Sequence, residues 1–140
     1  MLTHDQIQKI KNFAKDKPIE VVYLFGSQLT GQIHPQSDFD FGLLFSKNTD
    51  PETRSDLKMK AINFLVDMTK HDFVDVLDLE TVPLRFQFEA IKNKGDVYCN
   101  NRQIRDNFEI STTDRYYDYR YRMGNLTQNT LQKVANQGFN

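Results

Sequence analysis

At 140 residues the chain fits one compact domain that buries a core without disulfides or a structural metal. Hydrophobic residues at 39% and charged residues at 26% exclude a disordered or fibrous polymer, and 18 basic against 19 acidic residues exclude a global positive field that collects nucleic acid. Cys99 is the sole cysteine, which excludes an intramolecular disulfide and a Cys-rich zinc site and fits a reducing compartment, with the cytoplasm as the expected location.

In chain order, Thr3 followed by Gln6 reads as a capping box, and Ile7, Ile10, Phe13 and Ala14 then recur at helical spacing as far as Pro18. The β-branched and aromatic run Ile19 to Phe25 predicts a buried strand, stopped by Gly26. A second strand is expected over Phe39 to Ser46. Asp50 and Pro51 then supply an N-cap and a first-turn proline for a helix through about Met68, with Leu57, Ala61, Ile62, Leu65 and Met68 as its buried stripe.

A third strand is predicted from Asp72 to Leu79. Thr81 and Pro83 open another helix, which Gly95 is expected to close, and Val97 to Cys99 form a short strand. A long helix should cover about Gln103 to Met123. Residues 125–140 are rich in Asn and Gln and read as a polar tail, flexible or docking on a partner, after a domain spanning residues 1–124. No internal repeat or Gly/Ser-rich linker divides the chain, so a small mixed sheet flanked by helices, an α/β (α+β) fold, is expected. The N-terminal residues lack a basic segment followed by a long apolar run, and no stretch is long enough to cross a bilayer, so neither export nor membrane attachment is expected.

The chemistry concentrates where the first strand ends and the second begins. Gly26 and Ser27 are followed, after ten residues, by Asp38 and Asp40, giving G-S-x10-D-x-D. Alternate strand residues point to one face, so Asp38 and Asp40 project together while Phe39 and Phe41 turn to the core. Two carboxylates about 4 Å apart repel by roughly 4 kcal/mol at an effective dielectric near 20, so the pair calls for a cation. Hard carboxylate oxygens suit Mg²⁺, which commonly bridges protein carboxylates to substrate phosphates. Gly26 lets backbone amides approach phosphate oxygens, and the Ser27 hydroxyl donates a further hydrogen bond. Asp75, flanked by Val74 and Val76, is the candidate third acid, with Asp72 and Asp78 as competitors on the same strand. In that arrangement two metal ions serve a nucleoside triphosphate, and Asp75 is alternatively the general base.

The segments Phe25-Gly26-Ser27-Gln28-Leu29-Thr30-Gly31 and Ser37-Asp38-Phe39-Asp40-Phe41-Gly42-Leu43-Leu44 resemble the signature of the polymerase-β-type nucleotidyltransferase superfamily. Within it the short chain resembles the minimal nucleotidyltransferase (MNT) antitoxins that accompany HEPN-domain ribonuclease toxins, over most of residues 19 to 122. The resemblance implies Gly26 and Ser27 at the phosphates, and Asp38, Asp40 and Asp75 at Mg²⁺. It further implies ATP as donor, and AMP transfer to a tyrosine of a cognate HEPN toxin, which silences the toxin. Gln28 stands where a basic residue is frequent in the family, and Leu29 where a small one is. Stable nucleic-acid binding is not expected.

Two alternatives stand beside this reading. One is a non-catalytic antitoxin that acts by steric binding; the other is a nucleotidyltransferase for small molecules of the aminoglycoside type. Tyr116, Tyr117, Tyr119 and Tyr121, with Arg115, Arg120 and Arg122, form either a basic-aromatic surface or an amphipathic helix with half-buried tyrosines. His34 reads as an exposed loop residue and Cys99 as a small buried one.

Overall fold

The computed structural model describes residues 2–25, 39–92 and 95–137. Its elements are α1 (His4–Ala14), β1 (Ile19–Phe25), β2 (Phe39–Phe45), α2 (Pro51–Thr69), β3 (Val74–Asp78), α3 (Leu84–Ile91), β4 (Asp96–Cys99) and α4 (Arg102–Gln137). The strands form one four-stranded sheet in the order β3-β2-β1-β4, with β1 antiparallel to β2 and β4, and β2 parallel to β3. This is the α/β sheet-and-helix architecture expected of a minimal nucleotidyltransferase.

Local chemistry accounts for the helix starts. Thr3 accepts from Gln6 N, and the Gln6 side chain accepts from Thr3 N, satisfying two amide groups that the first turn leaves open. Asp50 caps α2, with Pro51 at its first position. The buried stripe of α2 is Leu57, Ala61, Leu65 and Thr69, while Ile62 and Met68 pack at its margin.

The two faces of the sheet carry separate cores. On one face Ile19, Val22, Leu24, Phe39, Phe41, Leu43, Phe45, Val74 and Val76 pack under α1 and α2. On the other, Val21, Tyr23, Phe25 and Leu44 meet Leu79, Ala90 and Ile91, with Ile104 and Phe108 of α4 beside them. A register shift between Ile19 and Val21 puts these two residues, which regular alternation would keep together, on opposite faces of β1. Gly42 belongs to this arrangement, because a Cβ there would stand 2.8 Å from Leu79 Cδ2, and Leu79 is fully buried.

Two elements differ from the sequence reading. α3 ends at Ile91, with Lys92 as its cap donating its N–H to Phe88 O, short of the expected stop at Gly95. The helix expected to end near Met123 continues through Gln137. It passes Gly124 without a break, since a helical glycine costs only about 0.5–1 kcal/mol relative to alanine and no proline follows. At 36 residues, α4 is about 54 Å long at 1.5 Å per residue.

Candidate nucleotide-transfer site

The parallel register places Asp40 of β2 directly opposite Asp75 of β3. Neighbouring strands lie about 4.8 Å apart, so the two carboxylates leave the sheet side by side. Both sit between residues buried on the α1/α2 face: Phe39 and Phe41 bracket Asp40, and Val74 and Val76 bracket Asp75. The acids therefore share the opposite face. Asp40 is half-buried and Asp75 is exposed, near the strand ends where β1 finishes and β2 and β3 begin. Phe25, the last residue of β1, pairs with Asp40.

Several contacts hold Asp40 in place. Phe39 is 4% exposed, meets the His71 ring edge-on at 4.9 Å between centroids, and stacks with Phe41 at 6.1 Å. The Phe39 N–H donates to Phe73 O at 3.4 Å, tying the start of β2 to the segment before β3. Locking the aromatic residues on one face fixes where the intervening acid points on the other.

Of the competing acids, Asp78 has a different task. It lies on the α1/α2 face, 8% exposed, where Arg54 Nη1 donates to Oδ1 at 3.3 Å and to Oδ2 at 3.2 Å. Arg54 also binds Thr49 O and Glu80, and its guanidinium lies over the Phe45 ring. A cleft of about 460 Å³ opens beside this pair, but its acid is already neutralised and it lies on the other face from Asp40 and Asp75. Asp72 is exposed, just ahead of β3. Gly26, Ser27, His34 and Asp38 lie outside the described residues.

Among the described residues no group of three or more His, Cys, Asp or Glu side chains is arranged to hold a metal ion. Two hard carboxylates at one sheet edge nevertheless match the donor chemistry of Mg²⁺, whose remaining positions are filled by water and phosphate oxygens. Other polar groups the sequence singled out serve the fold. Cys99 packs at the edge of the second core, where burial pushes its thiol pKa up. Sequence reasoning missed Tyr23, fully buried on β1. Its hydroxyl donates to Glu109 Oε1 of α4 at 3.0 Å, and burial followed by the Glu109 charge raises its pKa strongly. The spacing of Tyr23 and Glu109 along the chain gives no hint of that contact. No helix among the described residues is long and apolar enough to cross a membrane.

The shared fold extends to solved structures. A chain from a toxin-antitoxin crystal structure with AMP-PNP superimposes with a TM-score of 0.65, at 22% identity over 89% of this chain and 98% of that chain. A chain from a tri-AMPylated Shewanella oneidensis HEPN toxin in complex with its MNT antitoxin gives 0.65, at 19% identity over 93% and 99%. The MntA-HepT toxin-antitoxin structure gives 0.63, at 18% identity over 92% and 99%. At such identities the likeness is one of fold. No curated protein matches the sequence. The sequence model for polymerase β nucleotidyltransferases matches residues 8–103, which take in all four strands and both described acids. By that match over more than half its length, the chain belongs to the polymerase β nucleotidyltransferase family.

Proposed function

We propose that the chain transfers AMP from ATP to a tyrosine of a cognate HEPN ribonuclease toxin and thereby silences it, acting as an MNT antitoxin. The observation that carries this reading is the Asp40–Asp75 pairing across the parallel β2/β3 register, in a chain of nucleotidyltransferase family. The neighbouring fold crystallised with AMP-PNP, and the neighbour whose HEPN toxin is tri-AMPylated, support ATP as donor and a HEPN toxin as acceptor.

Asp40 and Asp75, joined by Asp38 two residues before Asp40, would hold Mg²⁺, while Gly26 and Ser27 bind the phosphates. Bound there, Mg²⁺ supplies positive charge against the triphosphate and makes the acceptor hydroxyl more acidic. The acceptor oxygen forms its bond to the α-phosphorus, the bond from that phosphorus to the bridging oxygen of the β-phosphate breaks, and pyrophosphate leaves. Alternatively Asp75, the more exposed acid, would serve as the general base that takes the acceptor's proton. The cytoplasm remains the expected compartment.

The test is to incubate the chain with ATP, Mg²⁺ and the product of the adjacent gene, and to read the partner's intact mass. One or more AMP additions are expected with the wild type and none with Asp38→Ala. An unmodified but still inhibited partner would establish a steric antitoxin instead, and modification of an antibiotic without any protein acceptor would establish a small-molecule transferase.

A further inference from the structure

Where α4 crosses the start of α3, Pro83, Leu84 and Arg85 face Tyr116, Tyr119 and Arg120 across a cleft of about 370 Å³. The two helices are firmly joined beside it. Tyr116 stacks on Phe88 with centroids 3.8 Å apart and planes 6° from parallel. Arg115 Nη2 donates to Gln87 Oε1 at 3.2 Å, and Gln87 Nε2 in turn donates to Leu79 O at 2.6 Å. The cleft is thus a standing feature of the helix pair. Pro83 follows the C-terminal end of β3, whereas Asp75 stands near the strand's start.

Its chemistry is mixed. Tyr119 is 54% exposed, and Phe86, one residue beyond Arg85, is 47% exposed. Arg122 is paired with Asp118, and Arg115 is held by Gln87, Ser111 and Thr112. Arg85 and Arg120 form no ion pair among the described residues. Two uncommitted guanidiniums therefore frame an aromatic and aliphatic floor.

We propose that this cleft docks an acidic segment of a protein partner, which presents carboxylates to Arg85 and Arg120 and an apolar side chain to Leu84, Tyr116 and Tyr119. Guanidinium groups bind carboxylates with two parallel hydrogen bonds, and tyrosine and arginine are the residue types that dominate protein–protein binding energy. A nucleic-acid strand suits the surface less. Asp114 and Asp118 interrupt this stretch of α4, the whole chain has a net charge of −1, and among the described residues around the cleft no continuous basic track follows a phosphate backbone. The partner's identity rests on the function proposed above; the recognition chemistry does not.

The test uses a random glutamate–tyrosine copolymer as probe, with binding followed by calorimetry at low and moderate salt. The full chain should bind it, the double variant Arg85→Glu/Arg120→Glu should lose at least tenfold in affinity, and Arg122→Glu, which matches the total charge change of Arg85→Gln/Arg120→Gln, should retain it. Arg85→Gln/Arg120→Gln gives the same reading with less perturbation of folding, and circular dichroism melting verifies that the variants are folded. Wild-type affinity in the folded double variants, an equal loss in Arg122→Glu, no copolymer binding, or tighter binding of an oligouridylate would each overturn the proposal. AMP transfer to the adjacent gene's product is read separately by mass. Its absence with cleft-dependent copolymer binding intact refutes the function and leaves the cleft standing; its presence with copolymer binding indifferent to Arg85 and Arg120 does the reverse.

Discussion

Asp75 and Asp78 stand three residues apart on one short strand, and the fold uses them in opposite ways. Asp75 is exposed opposite Asp40, a like charge on the neighbouring strand. Asp78 faces the α1/α2 side and is neutralised by Arg54 within 3.3 Å. The difference follows from the sheet's two-residue period: an odd spacing sends the side chains to opposite faces, one closed over by α2 and the other open at the strand ends. An acid neutralised by a neighbouring helix stabilises the fold, whereas two acids set side by side repel each other, and in the function proposed above a bound cation would offset that repulsion.

Substitutions should separate these roles. Asp40→Asn is expected to lower AMP transfer on the order of 10³-fold with little change in the thermal midpoint, measured by initial rates and calorimetry. Asp75→Asn should lower transfer on the order of 10²-fold, and its midpoint should stay or rise because repulsion with Asp40 is relieved. Asp78→Asn should do the reverse. It leaves Arg54 without its main counter-charge and costs about 2–3 kcal/mol, less than the roughly 3–5 of a fully buried pair because Arg54 keeps some water contact and its Glu80 partner, while the folded fraction transfers AMP at the wild-type rate. Gly42→Ala forces a methyl against the Leu79 side chain and should cost about 1–3 kcal/mol in chemical denaturation. Thr3→Ala, which removes the α1 cap, should cost about 1 kcal/mol and leave transfer unaffected.

What the sequence revealed was local. Thr3 with Gln6, and Asp50 with Pro51, act within one helical turn, so their caps are readable from spacing. The strands at Ile19–Phe25 and Phe39–Phe45 announce themselves by apolar runs, and the alternation around Asp40 already points its carboxylate away from Phe39 and Phe41. What stayed hidden depends on partners far along the chain. Arg54 is 24 residues from Asp78, and Glu109 is 86 from Tyr23, so no local spacing reveals that Arg54 neutralises Asp78 or that Glu109 receives the Tyr23 hydroxyl. Gly42 looks like part of a motif, yet its bare backbone also admits Leu79 from beyond β3. The pairing of Asp40 with Asp75 requires β2 and β3 to run parallel in one register, and that is a property of the assembled sheet.

The most direct test of the central claim compares wild type, Asp40→Asn and Asp78→Asn, each with [α-³²P]ATP, Mg²⁺ and the adjacent gene's product, at a temperature where all three are folded. Label should pass to the partner with wild type and Asp78→Asn at similar rates and should be lost with Asp40→Asn. Equal labelling by Asp40→Asn, or none by folded wild type, would contradict the account.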